Sequence, residues 1–215
     1  MSSGKYHRHE RLEMLAFLPQ SYRNVLEIGC GAGLFSAKLA SATERWGIEP
    51  DAVTARAAAG YLDRVLIGKY DELQQQLPAA YFDLVICNDV IEHLPDHDAF
   101  LASIREKLCT GGALVASIPN VRYWKHLKEL LFQRDWRYRE AGILDRTHLR
   151  FFTERSIRRD LERHAFAVER LAGINGLKWR RYPLLCVLVL LSLGRWRDMR
   201  YLQFAVRAIK SDSGG

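Results

Sequence analysis

The feature that most constrains this chain is an apolar run closing on a glycine-dense turn: Asn24-Val25-Leu26-Glu27-Ile28, then Gly29-Cys30-Gly31-Ala32-Gly33. A short apolar run bounded by turn residues reads as a fully buried strand. The glycines let backbone approach a ligand closely, since no Cβ intervenes. The spacing departs from a dinucleotide fingerprint, which wants a third glycine three residues after the second; Leu34 stands there, and Gly33 comes one place early. Glu27 points the same way. A buried carboxylate beside the turn repels a pyrophosphate but accepts hydrogen bonds from an ammonium group.

Beyond the turn, strand and helix patterns alternate along the chain. Periodicity predicts a leading helix over Arg11–Leu18, a helix over Leu34–Ser41, and strands at Arg45–Ile48, Arg64–Ile67, Phe82–Cys87 and Ala113–Ile118. Helical patterns separate the strands at Ala52–Ala59 and Ala99–Lys107. Two later strands are expected at Phe166–Leu171 and Tyr201–Ile209, after a helix over Thr153–His164 for which Thr153 is a natural N-cap. The expected fold class is therefore α/β: a Rossmann-like, seven-stranded, mostly parallel sheet with helices on both faces. At 215 residues one domain is expected over 1–210, with a disordered tail at 211–215. Its cofactor half covers about 1–120.

Two segments exceed a minimal sheet of this kind. Residues 119–152, rich in Trp, Tyr, Arg and His, lie past the carboxyl end of the fifth strand, where a substrate cap belongs. Residues 175–200 contain the apolar run Pro183–Leu193, too short for a bilayer span of roughly 20 residues. Aromatic and basic flanks at Lys178-Trp179-Arg180-Arg181-Tyr182 and Arg195-Trp196-Arg197 suit a lipid headgroup region. That leaves two readings of 178–197: a peripheral membrane contact, or a buried helix or dimer contact.

Charge separates the halves. Residues 1–120 hold 11 Lys/Arg against 15 Asp/Glu, whereas residues 121–215 hold 21 against 10. A basic half can steer an anionic substrate or rest on anionic lipid. No nucleic acid partner is expected, because no recognition module or basic pattern with interleaved aromatics is present. The four scattered cysteines lack a Cys-x-x-Cys pair and read as reduced packing thiols, which points to the cytoplasm. Met1–Lys5 runs into a polar helical pattern with no apolar core, so no secretion signal is expected.

Glu49 ends the second strand twenty residues after Gly29, where a carboxylate can take both ribose hydroxyls of an adenosine. Asn88-Asp89-Val90-Ile91-Glu92-His93 stands at the end of the fourth strand. Over about residues 24–120 this combination resembles the class I S-adenosylmethionine-dependent methyltransferases, particularly the group that includes ubiquinone-biosynthesis-like and small-molecule O-methyltransferases. The resemblance implies S-adenosylmethionine as cofactor. It implies Glu27, Gly29, Gly31 and Gly33 near the methionine portion, Glu49 on ribose, Pro50 flanking adenine and Asn88 near the sulfonium. Cys30, Asp89 and Val90 are counted with them. Where the family often has an acidic residue for the adenine amino group, Gly68-Lys69-Tyr70 stands instead.

Methylating a hydroxyl requires alignment and somewhere for the proton to go, so a histidine is the expected base. His148 and His93 are the two candidates. Gly142–Thr153, which contains Asp145, Arg146 and His148, resembles a segment of methyltransferases associated with bacterial surface-polysaccharide synthesis, implying a glycan or sugar acceptor; alternatively these three residues form a polar network fixing the cap. A small aromatic or quinone-like acceptor is the other reading, with Tyr123, Trp124 and Trp136 as apolar walls. A third is a cofactor-binding subunit without turnover. His93 and His97 have metal-ligand spacing, but Pro95 lies between them, and no metal site is expected.

Overall fold

In the computed structural model, which describes residues 10–211, every expected strand is present. They are β1 (Asn24–Ile28), β2 (Glu44–Glu49), β3 (Arg64–Ile67), β4 (Phe82–Asn88), β5 (Leu108–Pro119), β6 (Phe166–Gly176) and β7 (Tyr201–Lys210). They form one sheet in the order β3-β2-β1-β4-β5-β7-β6. The first five run parallel, while β7 is antiparallel to both β5 and β6. The order reverses between β1 and β4, so a crevice opens beyond their carboxyl ends. Residues 212–215 of the expected tail, with His7 and His9, lie outside the described residues.

Side chains alternate across the sheet with the period of two that a strand imposes. From β1, Leu26 and Ile28 enter one core layer with Val85, Cys87, Leu114 and Ala116. Val25 enters the other with Leu84, Ile86, Val115, Met14, Phe17, Phe35 and Leu39. The first layer is covered by helices α2 (Tyr70–Leu73), α3 (His97–Lys107) and α5 (Glu154–Arg163), which supply Tyr70, Phe100, Ile104, Ile157 and Leu161. Asp96 caps α3 by accepting from the Ala99 N–H, and Thr153 caps α5 by accepting from the Ser156 N–H, as its sequence position predicts. Helix α1 (Ala52–Ala58) connects β2 to β3, and α4 (Trp124–Lys128) follows β5.

Two expected helices are shorter and tighter than their periodicity implies. Arg11–Leu18 is a 3-10 helix over Leu12–Phe17, with Arg11 in the left-handed region at φ 47°. Leu34–Ser41 contains only a 3-10 turn, Ser36–Lys38. The reason is that Ser36 turns its hydroxyl inward onto the buried Glu27 carboxylate while Phe35 and Leu39 pack on the sheet. With those side chains turned inward the segment keeps only this one tight turn.

Candidate functional site

The glycine turn is fixed by backbone before any side chain acts. The Gly29 and Cys30 N–H groups both donate to the Ile48 carbonyl at 2.8 and 3.1 Å, tying the end of β1 to the end of β2. Gly29 and Gly31 have φ of 70° and 53°, left-handed conformations that favour glycine. A Cβ on Gly29 would lie 2.9 Å from Val90 Cγ2, so the turn can close against Val90 only as glycine. Gly33 differs from the expectation. Its absent Cβ makes room for Leu62 Cδ1 at 2.6 Å and the Ala58 backbone at 3.2 Å, and it lines neither neighbouring cavity. Its role is packing the turn onto α1.

Glu49 holds the turn from the other side. One carboxylate oxygen accepts the Gly31 N–H and the other the Asp51 N–H, both at 3.0 Å. Each oxygen keeps a further lone pair, so a vicinal diol can still donate to both. Glu27, 3% exposed, accepts from Ser36. Burial lifts its pKa to about 7, against the lowering effect of the Ser36 hydrogen bonds and with a further push from the Glu49 charge. Burial also drives the Cys30 and Cys87 thiols up, which keeps them protonated and inert. Asn88 presents a buried side-chain amide near enough to Glu27 to lower that carboxyl's pKa slightly, although neither its oxygen nor its nitrogen makes a hydrogen bond of good geometry among the described residues. A ligand could complete its bonding.

Two cavities meet at this turn and share Gly29, Asp89 and Val90. One, of ≈ 560 Å³, is lined on the glycine side by Glu27, Cys30, Gly31, Glu49 and Asn88, and on the far side by Arg11, Glu13, Ile143, His148, Asn175 and Gln203. The other, of ≈ 640 Å³, contains Pro50, Gly68, Lys69, Tyr70, Asp71 and His93. Asp71 thus supplies an acidic group near the place where the sequence shows only Gly68-Lys69-Tyr70. Its position two residues into the next helix hides it from a reading by offset.

Asp89, at φ 55°, organises the boundary between the cavities. Its Oδ1 accepts from Gln203 at 2.6 Å and Ser117 at 2.9 Å, and Arg11 reaches its Oδ2 at 2.8 Å. Arg11 also donates to Ser117. Arg11, Ser117 and Gln203 are far apart in sequence, and no local motif signals their convergence.

The cap brings His148 to His93. Leu149 and Arg150 N–H groups donate to the Glu92 carbonyl at 2.8 and 3.1 Å, pinning the cap to the end of β4. His148 Nδ1 lies 2.9 Å from the Ile143 carbonyl, which can only accept, so that nitrogen carries the proton and Nε2 is left as an acceptor. Nε2 has no hydrogen-bond partner among the described residues and faces Glu92 Oε1 at 4.0 Å. Glu92 is 1% exposed and neither of its oxygens has a hydrogen-bond partner among the described residues; burial, reinforced by the Asp89 charge, raises its pKa well above the usual range. The His93 ring meets His148 edge-on at 4.6 Å, and burial followed by the nearby His148 lowers its pKa.

Glu92, His93 and His148 offer ligand atoms within 4.8 Å of one another, a donor set compatible with a divalent ion. The sequence spacing points instead to His93 with His97. His97 turns away: it opens α3, packs on Phe152 and approaches Asp160 at 3.8 Å.

The remaining expected substrate residues line neither cavity. Asp145 accepts the Thr147 N–H and hydroxyl at 2.8 and 2.6 Å; burial alone would raise its pKa, but these bonds outweigh it and hold the carboxylate below its usual range. It shapes the loop that carries His148. Arg146 is exposed and paired with Glu140 at 2.9 Å. Trp124, 5% exposed, belongs with Tyr123 to a satellite core around Leu177, Leu185 and Met199, so the expected aromatic walls are structural supports. Trp136 packs between His126 and Phe151 and lines neither cavity.

Residues 5–171 match the model of a methyltransferase domain family. A mitochondrial ubiquinone biosynthesis O-methyltransferase of Schizosaccharomyces pombe is 34% identical over 105 residues, covering 45% of this chain and 38% of that protein. A ubiquinone biosynthesis O-methyltransferase of Rhodopseudomonas palustris is 28% identical over 154 residues, covering 70% and 60%. A trans-aconitate 2-methyltransferase of an Azoarcus strain is 33% identical over 114 residues, covering 50% and 44%. The chain spans about half the length of the curated relatives it matches. Among solved structures, a SAM-dependent methyltransferase from Archaeoglobus fulgidus superimposes with a TM-score of 0.67 at 18% identity, covering 92% of this chain and 90% of that one. At that identity the likeness is one of fold.

Proposed function

The chain belongs to the class I S-adenosylmethionine-dependent methyltransferases, and from that premise we propose that it methylates a hydroxyl on a sugar, nucleotide sugar or lipid-linked glycan. The observation that carries this reading is the polar far wall of the smaller cavity, where Arg11, Glu13, Asn175 and Gln203 surround the approach to His148. These groups already pair with one another and with Asp89, and the donors and acceptors they have left suit an acceptor with several hydroxyls better than an apolar ring.

In this reading Glu27 and the Gly29–Gly31 backbone hold the amino-acid end of the cofactor, Glu49 takes the ribose hydroxyls, and Asn88 satisfies its amide near the sulfonium. Pro50, Lys69, Tyr70 and Asp71 border the adenine. The bound cofactor supplies an electrophilic methyl group. The protein's own contribution is to align the acceptor oxygen and to receive its proton, a role assigned to His148 Nε2, with His93 as the alternative. Glu92 Oε1, 4.0 Å from His148 Nε2, closes the buried side of that imidazole, making Glu92 a positioning residue.

A quinone-like or other small aromatic acceptor is a second reading, favoured by the names of the ubiquinone biosynthesis relatives. Acceptor profiling distinguishes them, with S-adenosylhomocysteine release as readout. Turnover with nucleotide sugars or glycans and not with catechols is the expected result; turnover confined to catechols would sink the sugar assignment.

A further inference from the structure

The insertion between β6 and β7 carries an exposed apolar face that the methyl-transfer chemistry does not use. Helix α6 (Pro183–Leu191) buries Leu185 completely and packs Leu188 and Val189 against the satellite core. At 3.6 residues per turn, Leu184, Val187, Leu190 and Leu191 fall on the opposite arc, roughly 120° wide. Leu190 and Leu191 are 74% and 76% exposed, and Leu193 just beyond the helix is 86% exposed. A contiguous apolar strip of this kind marks an interaction surface.

The rim of the strip is cationic. Lys178, Arg180 and Arg181 precede it and Arg195 and Arg197 follow; all five are exposed, and none forms an ion pair among the described residues. Exposed Trp196 lies between the last two. The one acid of the insertion, Asp198, is already taken by Arg122 at 2.6 Å. The insertion is also held rigidly: buried Asn120 just past the end of β5 donates to the Asp198 and Tyr201 carbonyls, both at 2.9 Å.

We propose that this face docks on an anionic lipid surface, with Leu190, Leu191 and Leu193 entering the headgroup boundary and the five cations resting on lipid phosphates. An apolar face with a basic, aromatic-flanked border is what such a surface selects. A second copy of the chain fits less well, because a symmetric contact would set like-charged rims against each other. No helix among the described residues is long and apolar enough to cross a membrane, so the contact is with one leaflet. Topology makes the placement useful. Because β6 and β7 are antiparallel, the end of β6 and the start of β7 lie at the carboxyl rim of the parallel strands, and Asn175, Leu202 and Gln203 from that junction line the acceptor cavity. An acceptor anchored in lipid would arrive beside the cavity mouth.

The test is cosedimentation of the full chain with phosphatidylcholine vesicles, with and without phosphatidylglycerol. No acceptor is present, so the result is independent of the sugar reading. The protein is expected to pellet with the anionic vesicles and to be released by salt. Leu190→Asn combined with Leu191→Asn should weaken partitioning at least about tenfold, and Arg195→Gln with Arg197→Gln roughly thirtyfold. Both variants should retain S-adenosylhomocysteine binding and the wild-type melting temperature, because the altered side chains face solvent. Wild type remaining in the supernatant with both vesicles overturns the proposal, as does undiminished binding by the leucine variant. A wild-type dimer in sedimentation velocity that the leucine variant dissolves also overturns it, since a second copy would then cover the face.

Discussion

On the proposed site, Glu27 should couple cofactor binding to pH. Its carboxyl titrates near pH 7 in the folded protein against 4.5 in the open chain, chiefly because it is buried. A cofactor ammonium beside it requires the ionised form. At pH 6 about a tenth of the molecules carry that form and at pH 8 about nine tenths, so affinity for S-adenosylhomocysteine should rise roughly tenfold between them. The same shift sets the stability of the empty protein with the opposite sign. A raised carboxyl favours folding fully below pH 4.5, and that advantage is lost as pH rises through about 7, a difference of about 3 kcal/mol. Glu27→Gln can keep the Ser36 hydrogen bond while removing the charge. It should therefore melt higher than wild type at pH 8, bind the ligand more weakly, and show a flatter pH dependence. The assay is calorimetric titration at pH 6, 7 and 8 for both proteins, alongside thermal melts. The ligand's own ammonium titrates identically in each case, so the difference between the two curves isolates Glu27. Equal pH slopes for wild type and variant would refute the coupling.

Four further outcomes are expected. Glu49→Ala removes an acceptor for the Gly31 and Asp51 N–H groups together with the proposed ribose contacts; two charge-assisted bonds at about 1.5 kcal/mol each predict at least ~100-fold weaker S-adenosylhomocysteine binding by calorimetry. His148→Ala should lower turnover by about 10²–10⁴ while cofactor affinity stays within twofold to threefold, about the scatter of such measurements; surviving turnover in a folded variant means His148 is not the base. Gly33→Ala forces a side chain at φ 77° against Leu62 and Ala58 and should cost about 1–3 kcal/mol in denaturant unfolding. Its ligand affinity, measured below the melting transition, should be nearly unchanged. Chelation should leave methyl transfer intact; abolition, with rescue by one divalent ion, would reassign Glu92, His93 and His148 as metal ligands.

The cofactor half is legible in the sequence because backbone defines it. Val25–Gly31, Glu49 and Asn88 occupy strand ends, and strand ends follow from apolar runs and glycine turns read locally. Pattern misleads where a residue's tertiary role overrides it. Gly33 has the place of a ligand-facing glycine but serves Ala58 and Leu62; Leu34–Ser41 has helical periodicity, yet Glu27 recruits Ser36. Trp124 has the chemistry of a pocket wall, and burial against Leu185 and Met199 claims it instead. The Arg11, Ser117 and Gln203 contacts to Asp89 span up to 114 positions, beyond the reach of any spacing rule.

Backbone N–H groups hold the turn that follows Glu27 and fix the Glu49 carboxylate, so a change in the opposite wall need not disturb them. The wall of the smaller cavity opposite the glycine turn, where the acceptor is proposed to sit, is assembled from side chains on three separate stretches: Arg11 before the sheet, Ile143 and His148 in the cap, and Asn175 with Gln203 at the β6–β7 junction. A fold built this way can change acceptor by altering loops while its cofactor chemistry stays constant. Asp89 lines both cavities and receives Arg11 and Gln203 from that wall. Through Asp89 the end of β4 is tied to Arg11 and Gln203, so the wall opposite the glycine turn is anchored to the same strand end that carries Asn88.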